Sequence, residues 1–261
     1  MQPLVFDGVG TIQTYGLDGK LKYVEGKISK VTMQFQTDWD RVMGGDSGYA
    51  FHYTAKDLQD KVSFEVPRYS TILAEISQGA DTITGEVKFD ENEEGILDST
   101  NGYTVKAPTK FGGTFVPGSD AVYLKDANGK LTELTRAASA PTALQYAIDA
   151  TGKITSDAAN DNKNIMVTYK WSKTDGTRSG FSGKRRPVPI KFVHRFELTD
   201  DKTGKSVPCQ LTIYKALGGG TLDASQERKK PTTNTVTLEI MDPDITPDNP
   251  EGYAAELIFG I

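Results

Sequence analysis

Residues 44–48 read Gly-Gly-Asp-Ser-Gly, and the tetrad 45–48 matches the surround of the nucleophile in trypsin-like serine proteases. A serine becomes a nucleophile when a base lies within hydrogen-bond reach and an acid orients that base. The protease order places the histidine and the aspartate before the serine. Here the two histidines, His52 and His194, both follow Ser47. Tyr49 stands where the motif has a further glycine, and the G-x-S-x-G spacing of the α/β-hydrolases is absent as well. The stretch reads as a glycine-rich connection between strands, and no catalytic residue is expected.

Other candidate chemistry fails on inventory. Two histidines and one cysteine, Cys209, match no zinc spacing. The run Asp90-Glu91-Asn92-Glu93-Glu94-Gly95 has the acidity of a calcium loop, but its twelfth position is Asn101 rather than a chelating glutamate. A solvated acidic loop is expected there, without metal or cofactor. The glycines of Ala216–Gly220 are followed by neither the lysine nor the helix start that a phosphate-cradling loop needs. The 35 acidic residues offer many carboxylate pairs, yet none is singled out for glycoside hydrolysis. His194 sits between Phe192 and Phe196 on an apolar face and reads as a buried histidine satisfied by a neighbour.

Two basic runs precede prolines: Lys184-Arg185-Arg186 and Arg228-Lys229-Lys230. They read either as ordinary solvated loops or as contacts between copies. In the second reading they complement the acidic side chains Asp90, Glu91, Glu93 and Glu94 and the acidic stretch 242–251. The formal net charge of −5 provides no positive field for gripping nucleic acid. One cysteine allows no intrachain disulfide, which fits a reducing compartment. Neither a signal peptide nor an apolar run of membrane-spanning length is visible, so a soluble, cytoplasmically made protein is expected.

The elements that must position any site are strands. Apolar residues recur with period two at Val31–Phe35, Val62–Val66, Val87–Phe89, Ile165–Trp171, Ile190–Leu198 and Val236–Ile240, and the chain closes on a strand-like AAELIFGI. Turn signals at Leu17–Gly19, Asp126–Gly129, Asp149–Gly152 and Asp200–Gly204 predict antiparallel hairpins. One short helix is predicted over about 67–78, opened by Pro67 and closed by Gly79. The stretch 141–149 is read as a strand, and 216–220 and 242–250 as loops. The expected fold is mainly β: an antiparallel sandwich or barrel-like domain over 1–261, with loop insertions near 90–120 and 215–235.

In order, the chain offers a hairpin-like opening (TIQTYGLDGKLKYVEG), the strand ISKVTMQF, the loop VMGGDSGYAF and the strand KVSFEV. A helix ending in Gly-Ala follows, then AVYLKDANGKLTEL, ALQYAIDATGKITS, IMVTYKW, a long turn-bearing strand pair and a final NTVTLEI and AAELIFGI. This order resembles the major tail (tail tube) proteins of tailed bacteriophages. The resemblance covers most of the chain as a pattern of elements. It implies a β-sandwich with a flanking helix, whose copies form sixfold rings stacked into a tube. Strands of neighbouring subunits then join to form the inner wall. It implies no enzyme activity and a virion location in the tail, with assembly in the host cytoplasm. The implied partners are further copies of itself, the tape measure, terminator and baseplate or sheath proteins, and genomic DNA that passes without specific binding; no membrane is involved. The alternatives are a capsid decoration protein, a head–tail terminator or adaptor, or a β-sandwich module binding a ligand or carbohydrate.

Overall fold

A computed structural model describes residues 4–43, 50, 52–98, 100–224 and 233–260. The fold is mainly β, with 58% strand against 7% helix. In chain order the elements are β1 (Leu4–Gly16), β2 (Leu21–Glu25), β3 (Lys30–Gln34), β4 (Thr37–Val42), β5 (His52–Leu58), β6 (Lys61–Val66) and helix α1 (Thr71–Gln78). Then follow β7 (Asp81–Ile96), β8 (Tyr103–Thr104), helix α2 (Ala107–Phe111), β9 (Thr114–Phe115), β10 (Ala121–Lys125), β11 (Leu131–Arg136), β12 (Gln145–Ile148) and β13 (Lys153–Ser156). The last are β14 (Asn164–Gly180), β15 (Ile190–Asp200), β16 (Ser206–Ala224), β17 (Asn234–Ile240) and β18 (Ala255–Phe259).

Where the sequence suggests one β domain, contacts cluster into two compact units: Met1–Thr82 with Ser179–Ile261, and Ile83–Arg178. The boundary falls inside β7 and β14. On the unit-one side a Cβ placed on Gly180 would lie 3.8 Å from the Asp81 carbonyl oxygen, so the two crossings are neighbours. The stretch 90–120 belongs to unit two. Of 215–235, the part up to Ala224 is strand, and 225–232 lies outside the described residues.

Unit one is an antiparallel sheet in the order β2-β1-β15-β16-β17-β6-β3, with β18 also paired to β16. Alternation supplies its core: Val62, Phe64 and Val66 from β6, Phe192 and Phe196 from β15, Leu211 and Ile213 from β16, and Val236 and Leu238 from β17. Helix α1 adds Leu73 and Ile76. Each fully buried side chain of this kind contributes about 1.5–3 kcal/mol. All four predicted turns link neighbouring antiparallel strands as expected: β1–β2, β10–β11, β12–β13 and β15–β16.

Three expectations need correction. The helix begins at Thr71 rather than near Pro67, with Ser70 as its N-cap, accepting from the Ile72 N–H at 3.3 Å. A capping hydroxyl satisfies a free N–H, whereas Pro67 only lacks one, so the hydroxyl decides the start. Gly79 ends the helix as predicted, at φ 67°. Residues 216–220 are not a loop but the middle of the 19-residue β16. A Cβ on Gly218 would lie 2.2 Å from the Ile76 carbonyl oxygen and 2.4 Å from that of Ser77. The glycine is there because the backbone of α1 rests directly on the strand. The register with β17 then shifts between Gly218 and Leu222, a bulge that absorbs the remaining glycines. In 141–149 only Gln145–Ile148 is strand, and Leu144 is exposed.

Unit two is a second sheet in the order β7-β14-β10-β11-β12-β13-β8, with β9 also paired to β14. The pair β11–β12 is parallel, against the expectation of antiparallel neighbours. Ile165, Val167, Tyr169 and Trp171 line one face of β14 and pack with Val122, Leu134, Tyr146 and Ile154.

Candidate assembly surface

A further correction concerns the acidic run. Asp90–Glu94 lies within β7 of unit two and is not a loop. Asp90 pairs with Lys170 at 3.2 Å and Glu94 with Lys125 at 2.6 Å. Glu93 faces the other way. Its carboxylate accepts from the Tyr169 hydroxyl (2.5 Å), the Tyr103 hydroxyl (2.9 Å), the Lys106 N–H (2.9 Å) and the Ala107 N–H (2.7 Å). Desolvation works to raise this carboxyl, but the bonds from Tyr169, the two N–H groups and Tyr103 outweigh it and hold it below the ordinary value. Burial, followed by the bond to Glu93, pushes both tyrosines well above theirs. Glu93 is therefore an internal clasp, its acceptor capacity spent within unit two.

Lys184, Arg185 and Arg186 lie in unit one, in the connection between β14 and β15. Arg185 pairs with Asp81 at 3.0 Å, and the Arg186 carbonyl packs against Gly79 at the end of α1. Arg228, Lys229, Lys230 and Ser47 lie outside the described residues. His52 is exposed on β5. His194 is buried, and its Nε2 lies 2.7 Å from the Val9 carbonyl oxygen, the satisfied buried histidine expected from the sequence. Among the described residues no group of three His, Cys, Asp or Glu side chains is placed to hold a metal. Nor is any helix long and apolar enough to cross a membrane.

Two features of unit one were not visible in residue types. The first is a four-stranded section, β1-β15-β16-β18, whose outer strands both carry an open edge. On β1, pairing with β2 is confined to Ile12–Tyr15, so the outer edge of Leu4–Gly10 has no ladder partner among the described residues. On β18, among the described residues, the ladder runs only to β16, over Ala255–Phe259. The core face of this section is sealed in the middle and open at the sides. Phe192, Phe196, Leu211 and Ile213 are at most 5% exposed, whereas Phe6 on β1 is 67% and Leu257 on β18 is 46% exposed.

The opposite face carries a set of polar contacts, with the exposed apolar Val5 and Ile258 among them. Arg195 donates to Gln210 (3.0 Å) and Gln210 to Thr212 (3.0 Å), Thr199 donates to Asp7 (3.2 Å), Ser206 to Glu197 (2.6 Å) and Tyr214 to Glu256 (2.8 Å). A groove of about 600 Å³ along it is lined by Asp7, Thr11, Glu197, Pro208 and Ile258, among others.

The second feature is an arm. Among the described residues β4 and β5 pair only with each other. At its base Gln59 N–H donates to the Gln36 carbonyl at 3.0 Å, and Gln36 N–H to Asp60 at 2.9 Å. Trp39 and Tyr53 share one face by register, and both are more than half exposed, as is Leu58. A lone two-stranded ribbon is marginal in water, and this one carries its large apolar side chains in solvent.

The chain matches no protein-family model and no curated protein sequence.

Proposed function

We propose that the protein is a structural subunit that joins head-to-tail into rings, and that the rings stack into a tube of the kind phage tails use to conduct DNA. The observation that carries this reading is the pair of open edges on β1 and β18. The section alternates in direction and holds an even number of strands, so β1 and β18 run oppositely. A rotation that sets β18 of one copy beside β1 of the next therefore continues an antiparallel ladder without a break. The joint brings Phe6 and Leu257 onto the same covered face. Each side chain contributes about 1.5–3 kcal/mol when fully buried, and each new ladder bond adds about 0.5–1.5 kcal/mol.

Six copies, the number the tail-tube resemblance implies, would set roughly 24 strands side by side. At about 4.8 Å per strand they would enclose a ring about 37 Å across between backbones, wider with strand tilt. The opposite face of the section, with Asp7, Glu197 and Glu256 beside Arg195, suits a channel past which phosphates slide. The arm, with Trp39 and Tyr53, is the surface suited to contact with a further copy. The virion location, and partners such as tape measure, terminator and baseplate or sheath proteins, follow from this reading.

Negative-stain microscopy of the purified protein at rising concentration tests it. Uniform hollow tubes are expected. Discrete rings that never stack would favour a head–tail terminator or adaptor. A monomer at every concentration, binding a glycan array instead, would favour a carbohydrate-binding module.

A further inference from the structure

The edge of β1 is interrupted by an unusual bulge. Between Asp7 and Thr11 the strand takes four steps while β15 takes two, from Glu197 to Arg195. Gly8 and Gly10 sit at φ 87° and 71°, and a Cβ on Gly10 would lie 2.0 Å from the Arg195 carbonyl oxygen. Only glycine fits both the left-handed backbone and that approach. The bulge thus leaves the ladder, and Val9 between the two glycines has no partner residue in the register on either side.

What holds it is a side chain. His194 is 4% exposed, stacks on the Phe196 ring at 4.8 Å and lies opposite Ile12 and Leu211 in the two ladders. Its Nε2 is 2.7 Å from the Val9 carbonyl oxygen. A carbonyl only accepts, so Nε2 carries the proton and Nδ1 is the bare nitrogen. Nδ1 has no partner among the described residues, so a proton there would be a buried donor without an acceptor. The neutral Nε2–H tautomer is fixed by its surroundings.

We infer that His194 is a positioning residue, pinning the Gly8–Gly10 bulge and so keeping Leu4–Asp7 aligned in the ladder with β15. Among the described residues the ladder on the far side of the bulge holds Leu4–Asp7. Without the pin the bulge is a glycine hinge, and that short ladder must hold the segment alone. The inference stands apart from the assembly reading, although the ring joint proposed above uses the same edge.

Hydrogen exchange on the full chain tests it with two variants. His194→Leu keeps an apolar side chain and removes the donor; His194→Gln keeps an N–H near the position of Nε2. In the leucine variant, amides of residues 4–11 are expected to exchange roughly tenfold faster while β6 and β16 stay protected, and the glutamine variant should return to wild-type rates. Unchanged exchange in 4–11 for the leucine variant would overturn the inference. So would faster exchange across all of unit one in both variants, which would make the histidine mere packing. Sedimentation of the same samples separates the two readings: a wild type that never associates counts against the ring, and the exchange pattern still decides the pin.

Discussion

The hairpin β15–β16 and the arm β4–β5 are both antiparallel pairs of similar chemistry, yet they differ in what their faces touch. β15–β16 buries Phe192, Phe196, Leu211 and Ile213 beneath α1 and β6, while the arm leaves Trp39, Tyr53 and Leu58 in solvent. Ladder hydrogen bonds exchange protein partners for water at a modest net gain, so the faces decide which hairpin is a scaffold. In the first, buried apolar residues stabilise the fold; in the second, the exposed ones add little to it, and under the assembly proposed above they would contribute at a contact.

Truncating a scaffold ring should have the largest effect. Phe192→Ala empties a fully buried position and is expected to cost about 3–5 kcal/mol in urea unfolding of unit one. A loss below about 1 kcal/mol would mean that the hairpin is not the scaffold described. Next comes Gly218→Val, which drives a side chain into the carbonyls of Ile76 and Ser77. Overpacking of this kind costs about 1–3 kcal/mol, and circular dichroism melting should fall with loss of protection in α1. A variant as stable as wild type would show that the helix does not rest on the strand.

Acid should separate the two units. The Glu93 carboxyl is held below the ordinary 4.5, so the stability its clasp gives unit two is whole above that pH and is lost as pH falls through the folded value. The His194 imidazole is also held below its ordinary 6.5, chiefly by burial, with the Val9 bond opposing. There the unfolded chain takes the proton first, so unit one begins to weaken as pH drops below about 6.5. Fluorescence of the buried Trp171, in a Trp39→Phe background, should hold for unit two where hydrogen exchange in β15 has already quickened. Glu93→Gln should flatten the fluorescence change between pH 5 and 3; an unaltered acid profile would remove Glu93 as its source.

The smallest expected effect on the monomer is at the arm. Trp39→Ala should shift monomer stability by no more than about 0.5 kcal/mol, as for an exposed position, yet impair tube formation seen by microscopy. A variant that polymerises normally would remove the arm from the contacts.

Much of the scaffold was legible because its signals are local. Alternation at 62–66, 165–171 and 190–198 states which side chains face inward, and turns such as Asp126–Gly129 need only their own four residues. What stayed hidden depends on distant partners. Glu93 looks solvated until Tyr169, 76 positions on, is brought to its carboxylate. Gly218 looks like a loop residue until α1 is laid upon it. The open edges of β1 and β18 are a property of pairing, and no residue type announces a missing neighbour. Gly8 and Gly10 were the available hint of the bulge.

The crossings from unit one to unit two lie side by side at Asp81 and Gly180. Unit two is therefore an insertion whose two ends lie close together in unit one. A link of a few residues closes the gap it leaves, and loop-closure entropy changes only slowly with the length of what is spliced in. Exchanging this insertion for another would leave the open edges of β1 and β18 in unit one untouched.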